Sequence, residues 1–188
     1  ARIARHLPRL SDKELQDEPL FRMYEQEYEQ EEGEKFKDLI HYKKEIERIK
    51  TFNMIAASSR VHAKVENSDK VKMKGRALIS FFKADVDNLG MIFSMGLGDK
   101  LSVARMTSLS RMLNIFFSEY IVHLIEKEYA DIYVVYSGGD DLFLIGPWWQ
   151  TARFSHLLRE KLSQFCANNG DITLSGGFFV TKSNSKPV

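Results

Sequence analysis

The sequence is poor in cysteine and proline and has almost no net charge, which argues against several protein classes. Its 188 residues include one cysteine and four prolines, and 27 basic residues nearly balance 26 acidic ones. The single thiol, Cys166, excludes a disulfide framework and a cysteine-based zinc site within this chain. The formal net charge of +1 does not favour a dedicated nucleic-acid-binding protein, so such a contact requires a local basic patch.

Long apolar runs are also absent. The longest candidate, residues 115–125, is interrupted by Ser118, Glu119 and His123, and the basic stretch at residues 1–10 lacks the apolar core of a secretory signal. We therefore expect a cytoplasmic protein without a membrane partner. Hydrophobic residues make up 44% of the chain and aromatic residues 12%, which is enough for a sizeable folded core.

Residues 1–75 form a charge-rich first part. Asp, Glu, Lys and Arg supply 16 of the 30 residues from 21 to 50, and apolar residues recur at helical spacing from 34 to 53. The stretch 58–75 has few large apolar residues, which predicts a linker or loop. We expect this part to be a charged, mainly helical segment that precedes a separate domain.

Four basic residues alternate at the end of that segment: Lys70, Lys72, Lys74 and Arg76. On an extended chain they project from one face and can contact phosphate groups. The alternative is a solvated strand edge whose charges prevent unwanted strand pairing. The sequence leaves both interpretations open.

Residues 76–188 alternate between apolar runs and helical patterns. Strands are predicted at 77–84, 132–136, 142–145 and 172–180, and helices at 100–127 and from Pro147 onward. The order β-α-β-β-α-β predicts an α+β fold class, a ferredoxin-like sheet with both helices on one face. Because the chain stops soon after the fourth strand, we expect a domain truncated at its C-terminus.

This topology brings two acidic segments together. The right-handed crossover rule makes the first two strands parallel, with the third strand between them. The end of the first strand, at residues 85–88, then lies beside the turn Ser-Gly-Gly-Asp-Asp at 137–141, which joins the second and third strands in a hairpin. We therefore expect Asp85 to lie close to Asp140 and Asp141.

A divalent cation is one way to hold such carboxylates together. Two carboxylates about 4 Å apart repel by about 4 kcal/mol at an effective dielectric constant of about 20, and either protonation or a bound cation relieves that repulsion. Because no His or Cys lies nearby in the sequence, the oxygen ligands favour Mg²⁺ or Mn²⁺ over zinc. Gly138 and Gly139 let a phosphate approach the backbone, which together with a metal indicates phosphoryl or nucleotidyl transfer.

Each motif alone also has a purely structural interpretation. Gly and Asp dominate ordinary turns, so Gly-Gly-Asp-Asp can be a simple hairpin turn. Asp87 or Asn88 can serve as the N-cap of a helix that follows the first strand. The functional interpretation depends on the two motifs meeting at adjacent strand ends.

Two motifs together resemble one protein family. KADVDNLG at 83–90 and YSGGDDLFLIG at 136–146 resemble the palm domain of the large subunit of type III CRISPR effector complexes, which is similar to nucleotide cyclases and polymerases. TFNMIAASS at 51–59 is similar to the segment that precedes this palm in the Csm branch of the family. The turn differs from the Gly-Gly-Asp/Glu-Glu-Phe sequence of diguanylate cyclases.

The resemblance implies an activity and a set of metal ligands. The family joins ATP molecules into cyclic oligoadenylates when its complex binds target RNA. Asp85 and Asp141 would be the main ligands of Mg²⁺ or Mn²⁺, together with the Val86 carbonyl. Asp140 would support the metal or help to activate the attacking 3′-hydroxyl, which makes all three carboxylates catalytic.

The resemblance also implies substrate contacts and partners. Gly138 and Gly139 would line the phosphates of ATP, and Ser137 and Asn88 would contact its base or ribose. The partners would be the other subunits of a type III complex, its crRNA and target RNA, and a second palm domain. Two alternatives remain open, namely a non-catalytic nucleotide-binding or scaffold palm of the same complex and a diguanylate-cyclase-like enzyme.

Overall fold

The computed structural model describes residues 2–32, 49–64, 71–95, 98 and 102–182. Its helices are α1 Asp12–Gln16, α2 Glu18–Glu32, α3 Phe52–Ala57, α4 Leu89–Ser94, α5 Val103–Ile115, α6 Val122–Glu128 and α7 Trp148–Phe165. Its strands are β1 Arg2–His6, β2 Val61–Lys64, β3 Val71–Lys74, β4 Leu78–Val86, β5 Tyr133–Gly138, β6 Asp141–Pro147 and β7 Leu174–Lys182. Among these residues we find no helix with the length and apolarity to cross a membrane.

The main sheet has the predicted ferredoxin-like arrangement. Its strands are ordered β1-β5-β6-β4-β7, and each neighbouring pair is antiparallel. Strands β4 and β5 therefore run parallel with β6 between them, as the crossover rule predicts. The α+β fold class is confirmed, and the hairpin between β5 and β6 lies where the sequence predicts it.

One face of this sheet is covered by helices and carries the main core. The predicted helix at 100–127 is present as α5 and α6 joined by a π-helical turn, Phe116–Ile121. The wider turn brings consecutive residues to the sheet, so Phe116, Phe117 and Ser118 are all buried. The strand residues of this core are Phe82, Ala84, Val86, Val134, Leu142 and Leu144.

The opposite face of the sheet is covered only in part. Ile55 and Ala56 of α3 pack on Ile79 and Ile145, near the start of β4 and the end of β6. At the other end of β4 the side chain of Lys83 is 69% exposed. The sheet therefore has an open surface where β4 ends and β6 begins.

Three strands lie in the part of the chain that the sequence predicts to be helical or a linker. β1 joins the sheet as an edge strand beside β5, and β2 pairs with β3 as a separate antiparallel ribbon. The linker prediction for residues 58–75 is therefore wrong where β2 and β3 form. The helix predicted from 34 to 53 falls mostly outside the described residues, and its last part is wrong because Thr51 is extended and caps α3. The domain boundary between residues 75 and 76 stays a prediction.

A buried cation ties the N-terminal segment to the main sheet. The Lys50 side chain is 1% exposed, and its ammonium group lies 2.5 Å from Glu14 Oε1 and in contact with Asp131. The Tyr24 hydroxyl donates to Glu14 at 3.0 Å, and the Gln150 side-chain amide donates to Asp131 at 3.1 Å. Burial raises the pKa of Glu14. The positive charge of Lys50 and the hydrogen bonds from Lys50 and Ser11 outweigh the effect of burial and hold that pKa below its usual value.

Adjacent glycines on β7 give a test of the packing between this strand and the core. A Cβ at Gly176 would lie 2.7 Å from the ring of Phe82, which is 3% exposed and stacks on Phe178 at 4.5 Å. We expect Gly176→Ala to lower the free energy of unfolding by about 1–3 kcal/mol, because the confined ring must shift. A Cβ at Gly177 meets nothing within 4 Å, so Gly177→Ala is the matched control. Urea denaturation compares the two, and equal losses would contradict the packing described here.

Candidate functional site

Asp85 and Asp141 face each other across neighbouring strands. Asp85 is the register partner of Asp141 in the β4–β6 pair, and both follow the alternation that points Lys83 and Phe143 to the open side of the sheet. The Val86 amide donates to the Asp140 carbonyl at 3.2 Å, which fixes the end of β4 against the turn. The structure thus brings together the three carboxylates that the sequence predicts to be neighbours.

The three carboxylates carry more negative charge than their surroundings neutralise. Partial burial, a hydrogen bond with Asp141 and the charges of Asp141 and Asp140 all raise the pKa of Asp85. Lys83 opposes this increase, and its ammonium group lies 3.8 Å from Asp141 Oδ1. One exposed lysine does not balance three carboxylates, so this corner of the sheet favours a bound cation.

The turn between β5 and β6 is tight and open on its outer side. Gly138 pairs with Asp141, which leaves Gly139 and Asp140 as the two central residues. Gly139 has φ of +67°, which hairpin turns of the primed types need and which side chains other than those of Gly and Asn disfavour. A Cβ at Gly139 would meet no heavy atom within 4 Å, so a ligand can approach the backbone there.

Asn114 connects this turn to a cavity that the sequence does not reveal. Its Oδ1 accepts a hydrogen bond from the Gly139 amide at 3.1 Å, and it lies 3.4 Å from where a Gly138 Cβ would be. It also lines an open cavity of about 570 Å³ with Phe93, Met106, Thr107, Ser110 and Arg111. The only signal in the sequence was a polar residue between Leu113 and Ile115 in an otherwise apolar stretch.

Ser137 is not at the surface with the carboxylates. A bulge between Val134 and Tyr136 shifts the β5 register, so Ser137 pairs with Leu142 and turns to the helix-covered face. Its side chain is fully buried, and its hydroxyl donates to the Phe117 carbonyl at 2.6 Å. The prediction that the Ser137 side chain contacts the base or ribose therefore does not fit this structure.

The two polar residues after β4 have different surroundings. The Asp87 carboxylate accepts a hydrogen bond from the Thr173 hydroxyl at 2.6 Å, and bonds from Ser175 and Thr173 lower its pKa. Asp87 therefore links the end of β4 to the start of β7. Asn88 is exposed at the start of α4 with φ of 54°, and its side chain forms no cap hydrogen bond, so it remains available to a ligand.

The oxygen atoms of Asp85 and Asp141 fit a magnesium ion that takes its remaining ligands from substrate phosphates and water. In the described ranges no group of three or more His, Cys, Asp or Glu side chains is arranged to hold a metal ion. Mg²⁺ is commonly bound by one or two carboxylates together with substrate phosphates and water, not by an all-protein cage. Asp85 and Asp141, paired and open to solvent beside a glycine turn, match that kind of site.

Removing one carboxylate should stabilise the metal-free chain. The raised pKa of Asp85 means that the folded chain binds this proton more tightly than the unfolded chain does, so stability falls as the pH rises from 3.8 through the folded pKa. We expect Asp141→Asn to raise the Tm by about 2 °C at neutral pH in a chelator, a small effect because the group is exposed.

That gain should disappear below pH 3.8, where Asp85 is protonated in both states. Asp171→Asn, an exposed substitution outside this corner, should give no gain. Differential scanning calorimetry at the two pH values measures both variants. An equal gain at both pH values would contradict repulsion between Asp85 and Asp141.

Comparison with known proteins identifies the fold family. Residues 78–187 match the family model described as Cas10/Cmr2, second palm domain. The Cas10/Csm1 single-strand-specific deoxyribonuclease (subtype III-A) of Methanocaldococcus jannaschii is 40% identical over 114 residues, which cover 55% of this chain and 14% of that protein. The chain spans only about one seventh of the length of that relative.

Solved structures agree with this assignment. A Csm1–Csm4 cassette in complex with cA4 superimposes with a TM-score of 0.59 at 25% identity, covering 77% of this chain and 20% of that one. A Csm1–Csm4 cassette in complex with one ATP gives a TM-score of 0.58 at 26% identity, covering 73% and 19% of the two chains. The chain therefore belongs to the Cas10/Cmr2 family of type III CRISPR systems and contains its second palm domain.

Proposed function

We propose that this chain is the nucleotidyltransferase palm that makes cyclic oligoadenylates from ATP in a type III CRISPR complex activated by target RNA. The observation that carries the proposal is the direct pairing of Asp85 with Asp141 beside an open glycine turn. The relatives support it, because the neighbouring Csm1–Csm4 structures contain ATP in one case and cA4 in another.

The residues divide into those that hold a cation and those that hold the nucleotide. Asp85, Asp141 and the Val86 carbonyl are the proposed ligands of Mg²⁺ or Mn²⁺, with Asp140 beside them in the turn. When bound, the cation neutralises charge on the reacting phosphates and lowers the pKa of the attacking hydroxyl. The backbone of Gly139 is the proposed contact to the phosphates, whereas Gly138, which the sequence assigns to the same role, is buried beside Asn114.

The cavity next to the turn is the proposed position of the sugar and base. Asn114 orients the turn through the Gly139 amide and also lines the cavity, so a nucleotide with its phosphates at the turn can extend between α4 and α5. Phe93 and Met106 offer apolar surface there, and Ser110 and Arg111 offer hydrogen-bond donors. Asn88, exposed at the start of α4, is a further contact to the nucleotide.

The proposed reaction joins two ATP molecules. The 3′-hydroxyl oxygen of one ATP attacks the α-phosphorus of the other, and the bond from that phosphorus to the β-bridging oxygen breaks, so that pyrophosphate leaves. Asp140 accepts the hydroxyl proton or supports the cation. Repetition and ring closure give a cyclic oligoadenylate. The proposed contacts account for one nucleotide, so we propose that another palm domain, paired with this one, supplies the other half of the site.

The complex in which the parent protein works is also a proposal, because the chain spans a small part of the length of its relatives. We infer that the parent protein is a cytoplasmic subunit that assembles with Csm4-like and other subunits, a crRNA and a target RNA, as the name of a Csm1–Csm4 subcomplex of the type III-A interference complex suggests.

Nucleotide selectivity tests the proposal against its alternatives. The parent complex, supplied with Mg²⁺ and target RNA, should convert ATP and not GTP into cyclic products identified by mass spectrometry. Binding of ATP without any product would favour a non-catalytic nucleotide-binding or scaffold palm. Cyclic products from GTP alone would favour a diguanylate-cyclase-like enzyme and contradict the proposal.

A further inference from the structure

The ribbon of β2 and β3 carries a basic face that the nucleotide site does not use. Val61 pairs with Lys74 and Ala63 pairs with Lys72, so these four residues share one face of the ribbon. Lys72 and Lys74 are exposed, and Val61 is 61% exposed. Neither lysine forms an ion pair with a residue that the structure describes, and both side chains are exposed.

The other face of the ribbon is anchored. Met73 packs against the small core that contains Met54 and Tyr24, and His62 Nε2 lies 2.9 Å from Asp17 Oδ2. At the base of the ribbon, the Ser59 hydroxyl donates to the Arg76 carbonyl at 2.8 Å and accepts from the Leu78 amide at 3.0 Å. The lysines are therefore presented by a fixed strand, which lowers the entropic cost of binding.

The position of the ribbon separates it from the carboxylate site. Lys74 precedes the start of β4, whereas Asp85 lies at its far end, seven residues beyond Leu78 or about 24 Å at 3.4 Å per residue. One nucleoside triphosphate cannot contact both. A ligand of the ribbon is therefore separate from the nucleotide at the carboxylate site.

We propose that the exposed face of the β2–β3 ribbon binds the phosphodiester backbone of a single-stranded nucleic acid. Lys72 and Lys74 project from the same side of β3 about 7 Å apart, a regular spacing that suits the repeated charges of a polynucleotide. Their point charges contact phosphates without reading bases, and no aromatic side chain lies on this face. The basic alternation seen in the sequence thus has a binding role beyond keeping an edge soluble.

Salt-dependent binding by the full-length parent protein tests this surface. Lys72→Gln with Lys74→Gln should reduce the slope of log K against log salt by about 1.4, since each phosphate contact on a single strand contributes about 0.7. The same relation gives an affinity loss of about 25-fold at about 0.1 M salt. The probes are a fluorescein-labelled uridine oligonucleotide and a thymidine oligonucleotide of equal length, without ATP, so the result is independent of oligoadenylate synthesis.

Matched variants locate the effect. Lys13→Gln with Lys127→Gln removes the same charge from exposed helical positions and should leave the slope unchanged. A photo-crosslinking residue at Val61 should capture the oligonucleotide in the unmodified ribbon and not in the double variant. Loss with the uridine probe alone identifies RNA as the ligand, and equal loss with both probes identifies the shared backbone.

Other outcomes overturn the proposal. An unchanged slope in the Lys72/Lys74 variant would do so, as would an equal loss in the control variant. Binding of phosphatidylglycerol vesicles that depends on these lysines, with no dependence for either oligonucleotide, would assign the face to a membrane surface instead.

Discussion

Replacing the two turn carboxylates, Asp140→Ala with Asp141→Ala, should reduce cyclic oligoadenylate synthesis by at least about 1000-fold while the chain stays folded. Asp141 faces Asp85 on the neighbouring strand, so its loss removes one of the two paired carboxylates that we propose as metal ligands. Asp140 occupies the second central position of a half-buried turn, where Ala is tolerated. Product formation from labelled ATP by the reconstituted complex measures the loss.

Two further variants make this result specific. Asp85→Asn keeps the shape of the side chain and should cause a comparable loss from the opposite strand. Asp171→Ala removes an exposed carboxylate near the start of β7 and should leave synthesis unchanged. Circular dichroism should show the same thermal transition in the double variant within a few degrees. Continued synthesis by a folded double variant would refute the assignment of the site.

Lys50→Met should lower the free energy of unfolding by about 3 kcal/mol, or about 6–12 °C in Tm. The ammonium group is buried and lies between Glu14 and Asp131, so its removal leaves two carboxylates that face each other with little water. Lys13→Met, on the exposed side of α1, is the control and should change stability little. Urea denaturation of the 188-residue chain measures both variants.

The same network makes a prediction about pH and rescue. Because the folded pKa of Glu14 lies below its usual 4.5, its contribution is present above pH 4.5 and is lost as the pH falls through the folded pKa. The free energy of unfolding of the Lys50→Met variant should therefore fall less in that acidic range than that of the unmodified chain does. Adding Glu14→Gln and Asp131→Asn should recover part of the loss at neutral pH. A Lys50→Met variant as stable as the unmodified chain would show that Lys50 does not hold the N-terminal segment in place.

The palm topology was predictable because local signals decide it. The apolar runs, the helical spacing and a short turn between the second and third strands leave few arrangements once crossovers must be right-handed. The resulting topology places Asp85 beside Asp141, which the register of β4 and β6 confirms. The assignments of metal and substrate roles to these residues stay predictions.

Other features depend on contacts that no local pattern reports. β1 is five residues long and rich in charge, and it is a strand only because β5 offers an edge more than 120 residues away in the sequence. In the sequence, Lys50 is one of many charged residues between 21 and 50, and nothing local indicates that it is buried. Its two acidic partners are distant in the sequence. Distant pairing thus decides both features.

The inward orientation of Ser137 has a similar origin. Strict alternation would place it on the open face, whereas one bulge in β5 reverses the side to which it points. The bulge also explains why the Ser137 hydroxyl reaches the π-helical turn at Phe117 and not the nucleotide site. The one extra residue in β5 therefore turns Ser137 away from the predicted substrate contact and leaves Asp85 and Asp141 paired.

The most direct test of the central claim is product formation by the intact parent complex with radiolabelled ATP and Mg²⁺, in the presence and absence of target RNA. We predict that labelled cyclic oligoadenylate and pyrophosphate appear only when target RNA is present. ATP bound to the complex without any product in either condition would contradict the claim that this palm catalyses nucleotidyl transfer.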